Sequence, residues 1–559
     1  MWWQDDDRSR LFYTAGRELI ALDPSTGQPV EDFGENGRLD LTPSGRSAPF
    51  FVSVPGIIFE DLIVLGFSTD EGDRAHAGAV RAYSAITGDL VWRFNSLPRP
   101  GEMGSETWAD AALERAGGAN NWTGMALDVE RELLFVPTGS ATPDFYGASR
   151  PGDNLFANCL LVLDARTGEL RWYFQAVHHD LWDRDLPSPP TLVQVERFGE
   201  VIDAVAVSTK SGHLFVFDRD TGESLYDIAE VSTPPSDLPG EQASLTQPVS
   251  SVAFTRQSFE ITTRSQEATN FVEDLIKDLD QRPWAPPTEA GTLFYPAYDG
   301  GAEWGGSAFD PNGNRLILNA QEIGGIIRLH EIPVGFSDRN AYVEHCASCH
   351  GIDREGTDVG SSLVDIGHRL TRGQLARVMR EGRGRMPSFD HLQDFERNAV
   401  LAHIRSPESE VEDPPSTEVD YVFGGALRVR DHEGLPGNSP PWGTLNSIDL
   451  ATGEIDWQIP FGDYPETEGL GFGAENYGGP VVTASGLIFI GATPDRKFRA
   501  YDVRDGEVLW EAELSAAGFA TPAMYGVDGQ QYVVIAAGGG RRGPPSGSEY
   551  VAFSLPKSE

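Results

Sequence analysis

The chain has 559 residues, with 85 acidic and 43 basic side chains and a formal net charge of −42. That length exceeds a usual single domain and calls for two domains or one large closed architecture. A surface this negative excludes nucleic acid as a natural partner and disfavours anionic membrane surfaces; no apolar run approaches the roughly 18–20 residues a membrane helix needs.

Glycine (62) and proline (38) make the chain turn-rich, the composition of many short strands. From the N-terminus onward one motif recurs: a short apolar strand, then Asp-x-x-(Thr/Asp)-Gly or a close variant, often with tryptophan four residues after the glycine. It appears at Ala21–Gly27, Ala82–Gly88 with Trp92, Leu163–Gly168 with Trp172, Phe217–Gly222, Ile448–Gly453 with Trp457, and Tyr501–Gly506 with Trp510. Glycine supplies the positive φ of a tight turn and aspartate caps the turn's amides. One such sheet cannot bury both faces, whereas several packed radially around an axis can. Six copies, four with tryptophan at a fixed offset, argue against a β-sandwich with coincidental turns. The expectation is all-β, a β-propeller. The stretch Gln266–Leu279 reads as a helical insertion that packs without chemistry of its own.

The segment from Phe336 to about Arg405 breaks the repeat and reads as helix, Cys346-Ala-Ser-Cys349-His350, loop, helix, turn, helix. Thr371 is the expected N-cap of Arg372–Glu381, and Asp390 that of the helix running through Ile404. Cys-x-x-Cys-His is the pattern that anchors a c-type haem: Cys346 and Cys349 form thioethers to the porphyrin edge and His350 ligates iron. Met386, 36 residues further on in Gly384-Arg-Met-Pro387, suits the opposite axial position, with core packing as the rival role. A zinc site is disfavoured because no second Cys/His pair lies nearby. Cys159, the third cysteine, reads as a buried strand residue. Haem attachment of this kind happens outside the cytoplasm, so a periplasmic location is expected. The opening Met-Trp-Trp-Gln-Asp-Asp-Asp has neither a basic nor an apolar leader region, which suggests an N-terminally truncated record.

Three longer runs bring a family into view. His178-His-Asp-Leu-Trp-Asp-Arg-Asp-Leu-Pro187, then Ser208-Thr-Lys-Ser-Gly212, then Phe215-Val-Phe-Asp-Arg219 closely resemble the pyrroloquinoline quinone (PQQ)-dependent dehydrogenases of the glucose and quinate branch. Pro441-Trp-Gly-Thr444 and Asn476-Tyr-Gly-Gly-Pro480 extend the likeness over nearly all of the propeller part. The inserted cytochrome resembles fused quinohaemoproteins. No adjacent Cys-Cys pair occurs, unlike the alcohol dehydrogenase branch, which favours sugars, polyols or cyclic hydroxy acids as substrates.

The resemblance implies an eight-bladed family from which this chain lacks the first blade, and with it a cofactor-binding arginine. It divides the chain into propeller 1–335, cytochrome 336–408 and propeller 409–559. Hydride removal from an alcohol carbon needs an electrophilic acceptor, a base and a polarising cation. By resemblance Asp183 is the base, with Asp180 and Asp185 holding its loop and His178 or His179 near cofactor or substrate. Lys210 stands beside the quinone oxygens, Trp122 packs near the planar cofactor, and Asn476 contacts it. Asp70, Glu71 and Thr142 are the candidate Ca²⁺ ligands, all hard oxygen donors. The implied cofactors are PQQ, covalent haem c and Ca²⁺; the implied partners are an alcohol or sugar substrate and a downstream cytochrome or oxidase. The competing class is a non-catalytic propeller scaffold with an electron-carrier cytochrome. Retention of both Asp183 and Lys210 at the family's spacing weighs against it.

Overall fold

The repeated turn has one geometry along the chain. The aspartate Oδ1 accepts the amides two and three residues on: for Asp164 from Arg166 at 3.0 Å and Thr167 at 2.9 Å, for Asp218 from Asp220 at 2.9 Å and Thr221 at 2.8 Å. Ser84 does the same with its hydroxyl in the second copy. The closing glycines have φ from 68° at Gly27 to 83° at Gly88, where a Cβ is costly. The tryptophan then leaves its own sheet for the next one. Trp92 Nε1 donates to the carbonyl of Ala165 at 3.3 Å, Trp172 to Arg219 at 3.0 Å and Trp457 to Val503 at 3.0 Å. Each ring lies on the glycine of the following turn, so that a Cβ on Gly168 or Gly222 would come within 2.5 or 2.8 Å of it. The motif therefore both closes a hairpin and staples one sheet to its successor.

The computed structural model describes every residue except 45–49, 70, 73–74, 358, 385, 406–419, 541–544 and 556–559. Among the described residues seven sheets follow one another in an all-antiparallel order. Four-stranded sheets begin at Trp2–Gln4, Ile57–Phe59 and Ala126–Asp128; the fourth sheet has three strands, Thr191–Arg197, Glu200–Ser208 and Leu214–Asp218. Four-stranded sheets then begin at Ser307–Asp310 and Val481–Val482, and a three-stranded one at Ala523–Val527. Six apolar clusters join successive sheets. Val64, Leu134 and Leu161 share one; Leu318, Val216 and Ile448 share another. This is the propeller expected from the repeat.

Antiparallel order has a functional consequence. In each four-stranded sheet the loop joining the second and third strands leaves by the same edge as the connection to the next sheet, and the corresponding loop of the fourth sheet leaves by that edge too. Segments 66–79, 95–125, 138–158, 176–190, 209–213 and 461–480 therefore gather on one face of the ring. They contain Glu71, Trp122, Thr142, Asp183, Lys210 and Asn476.

The cytochrome segment enters on that same face. It interrupts the fifth sheet between Arg315–Gln321 and Gly443–Asp449, at the tip of a hairpin formed by Gly325–Ile332 and Asp420–Arg428. The insertion helix is present as Gln266–Ile276, capped by Ser265, and its Val272 and Ile276 pack on Ile326 and Val429 of that hairpin and its continuation. The cytochrome helices are Asp338–His345, Ala347–His350, Ile366–Arg369, Arg372–Glu381 and Asp394–Arg405. Thr371 caps the fourth with a reciprocal Gln374 contact, as expected. Asp390 caps nothing: the last helix starts four residues later, because Leu392 first turns back onto the Phe389 carbonyl and is buried. Tyr342, Leu375, Met379, Val400 and Ile404 form the core. Phe395 contacts the propeller hairpin through His330, ring centroids 6.3 Å apart.

Candidate active site and haem motif

Asp183 sits in a loop that the surrounding carboxylates build. Asp180 Oδ1 accepts the Trp182 amide at 2.9 Å, and its Oδ2 accepts the Arg184 amide at 2.7 Å, Asn158 Nδ2 at 2.8 Å and the Ser140 hydroxyl. Asp185 accepts the Ser140 amide at 2.5 Å and Trp122 Nε1 at 2.7 Å. Both aspartates thus hold the loop, as expected, and the second also fixes the half-buried Trp122 ring. Between them Asp183 adopts φ 56°, a left-handed conformation that costs energy in a non-glycine residue and persists only when its surroundings impose it. Arg184 ties the loop to the neighbouring turn, donating to the carbonyls of Lys210 at 2.8 Å and Pro296 at 2.6 Å.

That turn delivers Lys210. Its Nζ donates to the Asp183 carbonyl at 3.0 Å and to Asp183 Oδ1 at 2.9 Å, with side-chain exposures of 6% and 16%. An ammonium has three N–H donors, so one remains for a third acceptor. Burial pushes the Asp183 carboxyl up, Lys210 pulls it down, and Asp185 and Glu71 push it up further; the net direction is well above the ordinary value. Burial opposes the charge on Lys210, but Asp183, Asp185 and Glu303 outweigh it and hold the ammonium protonated. A carboxylate made more basic beside a fixed cation is the arrangement a general base requires.

The cation-site residues are only partly brought together. Asp70 lies outside the described residues. Glu71 is exposed, but its charge acts on both Asp183 and Asp144. Thr142 is buried and its Oγ1 accepts the Gly117 amide at 3.1 Å. Asp144, two residues on, is 4% exposed, and among the described residues no hydrogen-bond donor reaches its carboxylate. Burial and the charges of Glu71, Asp183, Asp185 and Asp180 all raise its pKa. An isolated buried carboxylate in such company is costly unless a cation neutralises it, so the donor chemistry fits a hard divalent ion. Among the described residues no three acidic, histidine or cysteine side chains converge as a ready cage; hydroxyl or carbonyl oxygens must complete the set. Asp144 was passed over in the sequence because it lay beyond the threonine singled out in Thr142-Pro143-Asp144.

Two other residues singled out in the sequence are bonded within the protein. Asn476 is a staple: its Nδ2 donates to the carbonyls of Ala320 at 2.8 Å and Ala474 at 3.1 Å, and its Oδ1 accepts Asn319 Nδ2 at 2.6 Å. His179 is fully buried, with Nδ1 2.7 Å from the Gly152 carbonyl and Nε2 2.8 Å from Glu241 Oε1. Both ring nitrogens are engaged within the protein, so it braces the loop. His178 Nδ1 lies 2.9 Å from Gln175 Oε1, and its amide bonds Gln247.

In the inserted segment neither cysteine forms a disulfide; Cys346 is buried and Cys349 exposed. One helical turn places them and His350 together: the amides of Cys349 and His350 bond the Cys346 carbonyl at 3.1 and 3.0 Å. His350 Nδ1 lies 2.7 Å from the Ser361 carbonyl. A backbone acceptor on Nδ1 fixes the tautomer and leaves Nε2 free for a metal. Met386 packs at the edge of the helical core, on a loop closed by paired bonds between Arg383 and Met386 at 3.1 and 3.0 Å. Ile352, Val359 and Val364 stand exposed around the motif, apolar surface of the kind a porphyrin would cover. The residues fit a covalent haem.

Comparison with known proteins agrees with this geometry. The family model for the glucose/ethanol/alcohol dehydrogenase β-propeller domain matches residues 1–354 and 385–533, and that for cytochrome C oxidase, cbb3-type, subunit III matches residues 338–404. The chain is 30% identical over 560 residues to quinoprotein glucose dehydrogenase of Escherichia coli, covering 96% of this chain and 62% of that protein. It is 30% identical over 577 residues to the quinate/shikimate dehydrogenase (quinone) of Acinetobacter baylyi, covering 97% and 62%. The chain thus spans 62% of the length of these relatives. The solved quinohemoprotein alcohol dehydrogenase of Comamonas testosteroni shares the fold, with TM-score 0.59 at 20% identity over 98% of this chain and 65% of that one. With the family's propeller model matched over most of its length, this chain belongs to the glucose/ethanol/alcohol dehydrogenase β-propeller family and carries an inserted cytochrome c domain.

Proposed function

We propose that the chain is the catalytic propeller and built-in electron acceptor of an extracytoplasmic dehydrogenase that oxidises the CH–OH group of a sugar, polyol or cyclic hydroxy acid. The observation that carries this reading is the 2.9 Å contact between Asp183 and Lys210, on the face where four other loops converge. Bound there, PQQ would supply an electrophilic quinone carbon for hydride, and haem c a one-electron acceptor. Asp183 takes the substrate's hydroxyl proton, and its raised basicity suits that role near neutral pH. The remaining N–H of Lys210 points positive charge at an oxygen that gains electron density. Trp122, pinned by Asp185, supplies a flat wall, while Thr142, Asp144 and Glu71, with Asp70, would hold the cation. Cys346 and Cys349 would tether the haem, with His350 and Met386 as axial ligands. The division at 1–335, 336–408 and 409–559 follows the same reading, as does export for haem attachment. The test is to add PQQ, Ca²⁺ and a panel of sugars, polyols and quinate, and to record the reduced haem α-band. Substrate-dependent reduction that disappears in Asp183→Asn supports the proposal. Reduction by no member of the panel, with PQQ shown to be bound, favours a scaffold carrying a cytochrome.

A further inference from the structure

The distribution of charge says where electrons leave. Residues 336–405 contain ten arginines and ten carboxylates, leaving 33 of the 43 basic and 75 of the 85 acidic side chains elsewhere. The insertion is electrically neutral, and the rest of the chain carries the whole −42. Within the insertion the charges are also segregated: between Ile366 and Phe389 six arginines face a single carboxylate, Glu381. Arg369, Arg372, Arg377, Arg380 and Arg383 are all exposed, and among the described residues no carboxylate lies within ion-pairing distance of any of them. Elsewhere many exposed arginines find acids, as Arg166 finds Glu60 and Glu132, and Arg504 finds Asp502, and those without one among the described residues, Arg93, Arg99 and Arg115, are scattered along the chain. Five such arginines within fifteen residues make a local excess of positive charge in a chain with twice as many acids as bases.

These arginines border the two loops that present His350 and Met386. Arg369 Nη2 donates to the carbonyl of Val364 at 3.1 Å, beside the Ser361 that holds His350. Arg380 and Arg383 flank the methionine loop: the Arg380 carbonyl accepts the Ser388 hydroxyl, and Arg383 pairs with Met386 through the backbone. Arg377 and Arg380 leave the helix on the side opposite its buried Leu375 and Met379, while Arg372, in its first turn, donates to Asn398 Oδ1 at 3.0 Å.

We propose that this arginine-rimmed surface is the docking site of an acidic one-electron carrier protein, which takes one electron per encounter from the cytochrome. This rests on the reading that the cytochrome accepts the enzyme's electrons. Two fields of opposite sign orient the partner. The propeller repels an acidic protein from every other approach, and the arginine patch attracts it next to the axial ligands. A basic carrier would instead be drawn to the propeller and turned away from the patch.

The experiment uses the haem-loaded chain reduced with ascorbate, so that no dehydrogenase turnover is involved. Its reoxidation by an acidic blue-copper protein is followed by stopped flow at ionic strengths from about 10 to 300 mM, and equilibrium binding of the same probe is measured in parallel. The expected result is a second-order rate that falls at least tenfold with salt. Arg372→Glu, Arg377→Glu and Arg380→Glu together should lower it at least tenfold at low salt and weaken binding, with the haem α-band and reduction potential unchanged. Charge reversal of Arg17 and Arg504 on the propeller should leave the rate within twofold. The proposal is overturned if the triple variant reacts like the parent, or if a lysine-rich c-type cytochrome binds more tightly and reacts faster than the acidic probe. It is equally overturned if the chain cosediments through these arginines with phosphatidylcholine–phosphatidylglycerol vesicles but does not bind the acidic probe. None of these results bears on whether substrate reduces the haem, so failure here leaves the dehydrogenase reading to its own test.

Discussion

Lys210→Met isolates the contact on which the active-site reading rests. At 2.9 Å and an effective dielectric of about 20, the Lys210–Asp183 attraction is about 6 kcal/mol before desolvation. Burying both groups offsets much of that gain, but removing one partner strands the other. With Asp185 and Glu71 also opposing its charge, a stranded Asp183 should cost about 3–5 kcal/mol. Asp183→Asn behaves differently. It strands the ammonium in turn, but Lys210 keeps the Asp183 carbonyl and the charges of Asp185 and Glu303, so the loss should be smaller, about 1–3 kcal/mol. The double variant should recover at least about 2 kcal/mol of the Lys210→Met loss. Guanidinium unfolding of the apo chain, followed by tryptophan fluorescence, measures all three. In the loaded enzyme Asp183→Asn should lower kcat by about 10²–10⁴-fold at temperatures where it remains folded. A Lys210→Met protein as stable as the parent, or an Asp183→Asn protein with full turnover, would refute the argument.

His213 is buried beneath the Lys210 turn, and burial followed by the charge of Arg184 lowers its pKa from 6.5 to about 4. A depressed folded value means stability that is complete above pH 6.5 and lost as pH falls towards 4; the slope should be worth up to about 3 kcal/mol and flatten in His213→Gln, as pH-dependent denaturation will show. Gly305→Ala should abolish soluble expression or lower the melting temperature sharply, because its Cβ would lie 1.8 Å from the Gly478 backbone carbon. Trp172→Phe removes the bond to the Arg219 carbonyl and should cost about 1–2 kcal/mol in guanidinium unfolding. Replacing Cys346 and Cys349 together with serine should leave any haem extractable by acidified butanone, whereas the parent retains it after denaturation.

Much of this protein was legible along the chain because its signals are local. The Asp-to-Gly turn is set by side chains within six residues of one another, so six copies revealed a propeller before any contact between sheets was known. Cys346, Cys349 and His350 lie on one helical turn, and their spacing alone places them together. Thr371 announced its helix for the same reason, while Asp390 misled, since a cap depends on where the next apolar residue must be buried. The tertiary structure decided everything that depends on distance in the ring. Asp183 and Lys210 are 27 residues apart and meet only because two loops leave the same edge of adjacent antiparallel sheets. Asn476 and His179 belong to the right face but spend their polar atoms inside the protein, a fact of partners rather than of spacing. Asp144 became visible only when burial showed a carboxylate with no donor. The arginines around Met386 were readable as composition; that they are exposed and unpaired in so acidic a chain was a matter of folding, because ion pairing depends on what the rest of the chain brings within a few ångströms.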